Sequence, residues 1–338
     1  MEESTNPGLI TRLGNCLIAR FNKDIIDEKH RGAFRLYNGF YEGESRLVVD
    51  LYARTLLIHN YLAPDIDAAH LMSQVQTYYL EQLPWLETVI VKNRRSQSQR
   101  ERVGEIRYGA FVSDRVQEAG VWYALNLLMH QEASFFLDTR NLRAWLKDSL
   151  PVDTLLNTFA YTGSLGVAAR AGEVQRVTYL DLQRKYLNIA KASHTLNGFE
   201  IDKSAFIVGD FWQQVGRFKR RGVKFDCVIL DPPFFSKTKS GTVDLLSSSH
   251  KLINKVRPIV TNGGFLVVIN NALFLSGKNF IELIDTLSVK NYLTIERIIP
   301  VPPDVTGYPE TIVNTPPVEP TPFNHPTKIA VLRIRHKY

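Results

Sequence analysis

The sequence predicts an α/β protein in which a doubly wound, mainly parallel sheet follows a smaller N-terminal α/β domain. From Phe111 onward, strand-like and helix-like segments alternate along the chain. The strand-like segments are continuously apolar, as is typical of parallel strands that helices cover on both faces. Three consecutive strand-like segments end in aspartate, after a turn that contains glycine. Sheets of this kind bind ligands at the carboxyl ends of their strands, so the aspartates predict a site there.

The first part of the chain reads as a mixed α/β unit. "RLVVDLY", "TLLIHNYL" and "ETVIVKN" have the composition of strands, and "AAHLMSQVQTYYLEQL" has the apolar spacing of a helix. The next segment, "NRRSQSQRERVGEIRYG", is polar and basic and has no hydrophobic period. It predicts a loop at the edge between two domains, with an N-terminal domain over residues 1–102 and a second domain over 103–338.

The elements of the second domain follow in order. A helix capped by Thr139 or Asn141 comes first, and "TLLNTFAYTGSLGVAARAG" then reads as strand, tight turn and helix. "RVTYLD" predicts the second strand, and "LQRKYLNIAKASHTLNG" predicts the helix after it. Three further strands are predicted from "SAFIVGD", "FDCVILD" and "GGFLVVIN". A proline-rich segment leads to a last strand over Lys328–Ile334.

Charge, apolar runs and the content of cysteine and histidine limit the classes of protein to which this sequence can belong. The 338 residues carry a formal charge of +7, which favours a polyanionic partner. No apolar run reaches the ~18 residues that a membrane span needs. The two cysteines, Cys16 and Cys227, cannot form a disulfide framework, so we expect a reducing, cytoplasmic setting. The histidines show no metal-binding spacing, and no metal site is expected.

The glycine turn and the first two acids suit a nucleoside. Gly163 and Gly166 would allow the backbone to approach a ligand, although glycines at such turns are often structural. Asp181 is placed to accept the hydroxyls of a ribose, or else to cap a helix. Asp210 can accept an adenine amino group while Phe211 packs on the base face.

The third acid, Asp231, lies in the segment "LDPPFF", which combines one carboxylate with two rigid prolines and two aromatic rings. This combination suits a flat substrate with a polar edge, held against a cofactor. The alternative is a rigid loop whose rings pack in the core. A nicotinamide enzyme would prefer the fuller G-x-G-x-x-G spacing, which is missing. S-adenosylmethionine is the better match.

Together these motifs resemble the class I methyltransferases that modify bacterial large-subunit ribosomal RNA. The stretches that carry the resemblance are "FFLDTR", "NTFAYTGSLG", "VTYLDLQRKYLNIAKASHTLNG", "GDFW", "FDCVILDPPFFSKTK" and "INN". The tail segments "TGYPET" and "FNHPTKIAVLRI" look like a subfamily signature. The resemblance spans about Ala33 to the C-terminus and implies a Rossmann-like methyltransferase sheet. An RNA-binding domain of the PUA kind is not evident.

The resemblance also implies which residues bind S-adenosylmethionine. Three residues precede the sheet and help to close over the cofactor: Phe136, Asp138 and Arg140. Five surround its methionine end: Phe159, Tyr161, Thr162, Gly163 and Ser164. The remaining cofactor residues follow the later strands: Asp181 with Leu182 at the ribose, Asp210 with Phe211 at the adenine, and Asp231.

The acceptor atom is inferred from residues near the last strands. Enzymes that methylate carbon 5 of a pyrimidine need a cysteine nucleophile, which the cytosine-methylating relatives carry shortly after the fifth strand. This chain has Asn270 and Asn271 there, so carbon-5 chemistry is disfavoured. The pairing of "DPPFFS" with "INN" resembles the branch that methylates guanine N7. An exocyclic amine stays open, because a carboxylate followed by Pro-Pro-aromatic also suits amino groups.

On this interpretation the catalytic residues are Asp231, Pro232, Pro233, Phe234, Phe235 and Asn270. Asp231 and the Pro232 carbonyl would fix the base edge, and the two prolines would keep the turn rigid. Either phenylalanine would stack on the flipped base. Asn270 would hydrogen-bond the base or shape the pocket.

The expected partner is RNA, and the resemblance favours ribosomal RNA. The basic segments "KNRRSQSQRER", "FKRRGVK" and "SKTKSG" suit phosphates, although basic loops are often only solvated. A non-catalytic RNA-binding protein that keeps the cofactor fold is the alternative from another class. A serine hydrolase is unsupported, since no G-x-S-x-G follows a strand.

Overall fold

The computed structural model describes residues 7–62, 66–288 and 292–336. The chain forms two compact units, one of residues 1–137 with 302–315 and the other of 138–301 with 316–338. The first unit therefore reaches beyond residue 102, where the sequence suggested a boundary. Residues after 108 stay with it because they pack on its sheet. The Tyr52 hydroxyl donates to the Phe135 carbonyl at 3.0 Å, and the Lys92 Nζ donates to the His130 carbonyl at 2.7 Å.

The first unit contains a five-stranded sheet of order β1-β2-β3-β4-β5 and a separate hairpin of β6 and β7. Its strands are β1 Ala33–Asn38, β2 Leu47–Tyr52, β3 Thr55–Asn60, β4 Thr88–Asn93, β5 Glu105–Tyr108, β6 Arg115–Glu118 and β7 Val121–Ala124. The helices that precede residue 138 are α1 Pro7–Phe21, α2 Gly39–Glu42, α3 Ile66–Gln82 and α4 Gln99–Val103. The strands predicted at β2, β3 and β4 and the helix predicted at α3 are confirmed.

The sheet of the first unit has one apolar face and one face that mixes buried apolar and charged side chains. On the apolar face, side chains such as Val49, Ile58 and Val91 join α1 and α3 in one buried cluster. On the other face, Arg35 binds the buried Asp50 through two hydrogen bonds, at 2.7 and 3.0 Å. The alternation of strand side chains between faces produces this division.

The basic segment after β4 contains α4 and β5, where the sequence predicted a loop. Its backbone continues the sheet, because the Arg94 amide donates to the Asn60 carbonyl at 2.8 Å. Ser96 is buried, and Ser98 caps α4 by accepting from the Glu101 amide. Local capping therefore supplied order that the polar composition did not indicate.

A buried ion pair ties three segments of the first unit together. The Arg20 guanidinium donates to both carboxylate oxygens of Glu42, at 2.6 and 2.9 Å, and both side chains are fully buried. Glu42 also accepts from the Thr311 hydroxyl at 2.5 Å, and Arg20 donates to the Asp304 carbonyl at 2.9 Å. Residues 302–315, which include α11 Pro303–Thr306, are thereby fixed to the first unit.

The second unit alternates helices and strands as predicted. Its helices are α5 Arg140–Asp148, α6 Ser164–Ala171, α7 Arg184–Leu196, α8 Phe211–Arg220, α9 Ser249–Val256 and α10 Gly277–Leu287, with 3₁₀ turns at Lys203–Ala205 and Arg257–Ile259. Its strands are β8 Thr154–Thr158, β9 Arg176–Asp181, β10 Phe206–Val208, β11 Phe225–Leu230, β12 Phe235–Thr238, β13 Gly241–Asp244, β14 Val260–Asn270, β15 Leu293–Ile299 and β16 Lys328–Ile334.

Seven of these strands form one sheet of order β10-β9-β8-β11-β14-β16-β15. The first five neighbours pair in parallel, and β16 runs antiparallel to both of its partners. Helices cover buried apolar strands, so the predicted doubly wound α/β fold is confirmed. The hairpin of β12 and β13 was not predicted, because its short polar strands carry no strong periodic signal. Within the described ranges, no helix is long and apolar enough to cross a membrane.

Replacing Glu42 by glutamine is expected to destabilise the first unit strongly, by about 3–5 kcal/mol, because Arg20 would keep a buried charge without its counter-ion. Glu87→Gln is the matched control, since Glu87 pairs with Arg54 at the surface and such pairs contribute at most about 1 kcal/mol. Urea titration, with unfolding of the first unit monitored by hydrogen–deuterium exchange in β1–β4, would measure the loss of stability in both variants. Equal urea midpoints for the two variants would contradict the role of the Arg20–Glu42 pair in stabilising the first unit.

Candidate active site

The parallel strands of the second unit bring the predicted residues to one edge of the sheet. Leu230 lies opposite Thr158 on β8 and opposite Val268 on β14. On the other side, Thr158 pairs with Leu180, and Asp181 pairs with Val208. The strands therefore end at similar heights, and the residues that follow them share the carboxyl edge. This geometry gathers the three predicted acids.

Asp181 holds the turn after β8 in shape. Its two carboxylate oxygens accept from the Tyr161 amide at 2.9 Å and from the Gln183 amide at 2.8 Å. The turn needs this support because Phe159 and Tyr161 both adopt positive φ, at 51°. Burial raises the pKa of Asp181, and the backbone amides oppose that rise. A carboxylate has about four acceptor sites, so Asp181 can also accept from ribose hydroxyls.

Two glycines of the turn pack against an aromatic ring of β9. A Cβ on Gly166 would lie 2.3 Å from the Tyr179 ring, and a Cβ on Gly163 would lie 2.5 Å from the Ala190 methyl group. The Tyr179 ring cannot yield easily, because its hydroxyl bonds His194 Nε2 at 2.8 Å and its ring stacks on Phe206. The glycines thus allow helix α6 to sit close to the sheet, in addition to any approach to a ligand.

A small cavity opens to the solvent beside these acids. Its walls contain the predicted residues Phe159, Asp181, Leu182, Asp210 and Phe211. Sequence reasoning did not assign its other walls, which are Leu180, Gly209, Trp212, Ser236, Thr238 and Val243. The last three belong to the β12–β13 hairpin, so the hairpin that follows the "DPPFF" loop forms one side of the cavity.

Two polar groups in the cavity wall can recognise a nucleobase. Asp210 Oδ1 accepts from the Gln213 amide at 3.0 Å and thereby caps α8, which leaves Oδ2 for a ligand amine within the described structure. The indole Nε1 of Trp212 is buried and has no hydrogen-bond partner there. Phe211 is itself buried and stacks on Phe159 at 4.6 Å. This set of donors, acceptors and rings fits an adenosine.

The residues around Asp231 combine a perturbed carboxylate with exposed rings. Burial, with a smaller contribution from the charge of Asp138, raises the pKa of Asp231 to about 7. Asp138 accepts from the Thr327 hydroxyl at 2.8 Å. Phe234 and Phe235 are 47% and 60% exposed, so the alternative that these rings pack in the core is wrong. They lie where a planar ligand could stack on them.

The two prolines lie in the loop after β11, and Asn270 bonds the segment between β13 and α9. Pro232 is buried and Pro233 is exposed, directly after the end of β11. Asn270 is fully buried, and its Nδ2 donates to the Leu245 carbonyl at 3.3 Å and to the Ser249 hydroxyl at 3.1 Å. Its Oδ1 accepts from the Ala272 amide at 2.9 Å. With its amide engaged in this way, Asn270 is suited to shaping the pocket rather than to binding the base.

The other predicted cofactor residues have varied positions. Thr162 is buried in the turn, and Ser164 begins α6. Arg140 begins α5, directly after Thr139 at the N-cap position. Phe136 is 40% exposed and belongs to the first unit, so its role at the cofactor stays a prediction.

The cysteines and acids of the chain bear on two other kinds of chemistry, nucleophilic attack by a thiol and metal binding. Cys16 and Cys227 are buried, and burial raises the pKa of both thiols. Neither cysteine follows β14, where a carbon-5 nucleophile would be expected. In the part of the chain that the structure describes, no group of three or more His, Cys, Asp or Glu residues could hold a metal ion.

A protein-family model for S-adenosylmethionine-dependent methyltransferases matches residues 89–307. The chain therefore belongs to the S-adenosylmethionine-dependent methyltransferase family, and S-adenosylmethionine is its cofactor. This confirms the resemblance and the cofactor inferred from the sequence.

Two relatives of the chain have names that describe an activity. The chain is 26% identical to YwbD of Bacillus subtilis (strain 168), which is named provisionally as a ribosomal RNA large subunit methyltransferase, over 86% of this chain and 75% of YwbD. It is 30% identical to ribosomal RNA large subunit methyltransferase K/L of Colwellia psychrerythraea, over 71% of this chain and 34% of that protein. The chain thus spans about a third of the K/L relative.

A solved structure supports the fold. SMU.776, named provisionally as a methyltransferase and crystallised in complex with SAH, superposes with a TM-score of 0.81 at 22% identity. The match covers 96% of this chain and 80% of SMU.776. At this identity the likeness concerns the fold.

Replacing Gly163 by alanine is expected to weaken S-adenosylmethionine binding at least about tenfold, because the new methyl group would collide with Ala190 and displace the turn. Gly198→Ala is the matched control, since Gly198 also has positive φ, at 68°, but a Cβ there meets nothing within 4 Å. Isothermal titration calorimetry measures both affinities. Similar losses would mean that backbone strain, rather than the collision, is responsible.

Proposed function

We propose that this protein transfers a methyl group from S-adenosylmethionine to a base of large-subunit ribosomal RNA, and that guanine N7 is the acceptor. The observation that carries the proposal is the position of Asp231, Phe234 and Phe235 in the loop that leads into the β12–β13 hairpin, which lines the cavity beside Asp181 and Asp210. A carboxylate recognises a polar base edge, and exposed rings offer a stacking surface. The names of the relatives support ribosomal RNA as the substrate, and a cytoplasmic location would follow.

The cofactor contributes one chemical feature, an electrophilic methyl group on a sulfonium. The residues of the chain supply position. Asp181, Asp210 and Trp212 are suited to holding the adenosine, and the turn around Gly163 is suited to the methionine end. Because the methyl group is already activated, close alignment of the acceptor is the main task of the protein.

The base would be held by the loop after β11. Guanine presents N1–H and an exocyclic amine on one edge, and the ionised Asp231 can accept from both. Either Phe234 or Phe235 would stack on the ring, and the two prolines limit the freedom of the loop. N7 has a free lone pair and needs no general base. The absence of a cysteine after β14 further favours a nitrogen acceptor over carbon 5.

An exocyclic amine is the second candidate acceptor, and one observation favours it. The carboxyl group of Asp231 has a pKa of about 7 and could take up the proton that an amine loses. Nucleoside mass spectrometry on ribosomal RNA from cells that lack the protein distinguishes the candidates. Loss of 7-methylguanosine supports the first choice, and loss of an amino-methylated base supports the second. Unchanged nucleosides would overturn the proposal.

Replacing Asp231 by alanine is expected to lower methyl transfer at least about a hundredfold while cofactor affinity stays within a few-fold of wild type, because the carboxylate is assigned to the base. Single-turnover transfer to RNA from the deletion strain and calorimetry with S-adenosylmethionine measure the two effects. Equal loss of binding and transfer would contradict this assignment. Cofactor binding without transfer by the wild-type protein would favour the non-catalytic alternative.

The rate of transfer is expected to rise with pH through about 7. The raised pKa means that the Asp231 carboxyl is mostly protonated below pH 7 and accepts fewer hydrogen bonds there. In Asp138→Asn the midpoint should move to lower pH, because a neighbouring negative charge has been removed. The measurement is kcat/KM from pH 5.5 to 8.5. A flat wild-type profile would exclude Asp231 as the titrating group.

A further inference from the structure

A surface in the first unit has features of a nucleic-acid contact that the methyl-transfer chemistry does not use. Strands β1, β3 and β4 run in one direction and β2 runs against them, so the ends of the first three meet the start of β2 at one edge. Four residues occupy this edge, and we call them the aromatic–arginine edge: Phe40, Arg46, Tyr61 and Arg94.

Backbone hydrogen bonds fix the order of these residues. The Tyr61 amide donates to the Arg46 carbonyl at 2.8 Å, and the Arg94 amide donates to the Asn60 carbonyl at 2.8 Å. The edge is therefore an extension of the sheet ladder. Side chains on it keep their spacing without help from a ligand, which reduces the entropy cost of binding.

The two rings form a partly open apolar surface. Phe40 is 46% exposed, and its ring meets Tyr61 edge to face at 5.3 Å and 70°. Phe40 lies in the four-residue helix α2, where its neighbour Tyr41 is buried and Phe40 is not. An exposed phenyl ring beside a tyrosine provides a face on which an unpaired base can stack. Such stacking tolerates any base, because every base has a flat aromatic face.

Arginines surround the rings. The Cζ of Arg94 lies 5.7 Å from the centre of the Tyr61 ring, and Arg94 also binds Glu132 at 2.6 Å. Arg46 binds Glu44 through two hydrogen bonds, at 2.7 and 2.8 Å, yet remains 55% exposed. Arg95 follows Arg94 and is exposed. Within the described residues, no hydrogen bond or ion pair engages its side chain. The Arg94 side chain is 15% exposed and orients the Tyr61 ring, so the exposed guanidinium groups of Arg46 and Arg95 are the ones that suit the phosphates of a strand.

We propose that the aromatic–arginine edge binds unpaired nucleotides of the RNA substrate, apart from the base that is methylated. This inference rests on the proposed function, because it takes the substrate to be RNA. Stacking requires an open base face, so the edge selects single-stranded over duplex RNA. Helices α2 and α4 beside the edge have four and five residues, which is too short for a recognition helix, and α3 packs its apolar face into the core of the first unit.

The test compares variants at the two opposite edges of the same sheet. Phe111 is 79% exposed and follows β5 in the chain. It lies beside the first residue of β4, because its carbonyl accepts from the Thr88 hydroxyl at 2.9 Å. Phe40→Ala and Phe111→Ala therefore remove matched exposed rings. The probe is a fluorescein-labelled strand of 12 uridines, with its duplex with adenosines for comparison, and anisotropy gives the Kd of each.

Phe40→Ala is expected to raise the Kd of the single strand about fivefold or more, while Phe111→Ala leaves it unchanged. Phe40→Trp should restore binding, which a merely structural role of Phe40 would not produce. Arg46→Gln should lower the slope of log Kd against log salt by about 0.7, and the surface-paired Arg54→Gln should not. Tighter binding of the duplex, or equal binding by Phe40→Ala and wild type, would overturn the inference.

Failure of the proposed function has a different signature. If the wild-type protein binds the single strand through Phe40 but transfers no methyl group to RNA, the proposed function fails and this inference stands. If wild type and Phe40→Ala transfer with the same KM for RNA and the same kcat, the inference fails alone. The expected result is a KM raised about fivefold at unchanged kcat.

Discussion

The register of β11 between β8 and β14 is the constraint on which the candidate active site depends. Leu230 lies opposite Thr158 and Val268, and this alignment places Asp231 at the same edge as the turn after β8. β11 is buried on both faces, so a slip of one residue would exchange side chains between two packed faces and disrupt the packing of both, and packing therefore fixes the register. The polar site is therefore held in place by the hydrophobic packing of the strands that precede it.

Around that edge, residues that stabilise the fold also have the acceptor capacity that the proposed ligand needs. Asp181 pins the backbone of the glycine turn and still has acceptor capacity. Asp210 caps α8 with one oxygen and faces the cavity. The capping role and the binding role, which look like alternatives in the sequence, are compatible in the structure. A carboxylate with two oxygens can be oriented by one and can bind with the other.

The β12–β13 hairpin connects the two halves of the proposed reaction. It begins at Phe235, in the loop proposed to hold the base, and its residues Thr238 and Val243 form a wall of the cavity proposed for the cofactor. The tip is anchored on α8, where Gln213 donates to the Ser240 hydroxyl at 2.7 Å. On the proposed function, one short segment thus lines the adenosine site and carries the stacking surface. Such loops on a common scaffold are where methyltransferases of one fold differ in substrate.

The alternation of strands and helices, the parallel sheet and the acids at its edge were predictable from the sequence, because periodicity and strand-end chemistry are local signals. The packing of Gly166 on Tyr179 and the hydrogen bonds of the Asn270 amide became visible with the folded chain. The tertiary structure also assigned residues 302–315 to the first unit, through the buried pair of Arg20 and Glu42. These outcomes depend on contacts between segments far apart in the chain. Their partners are chosen by packing and by the cost of burying charge, which no local pattern records.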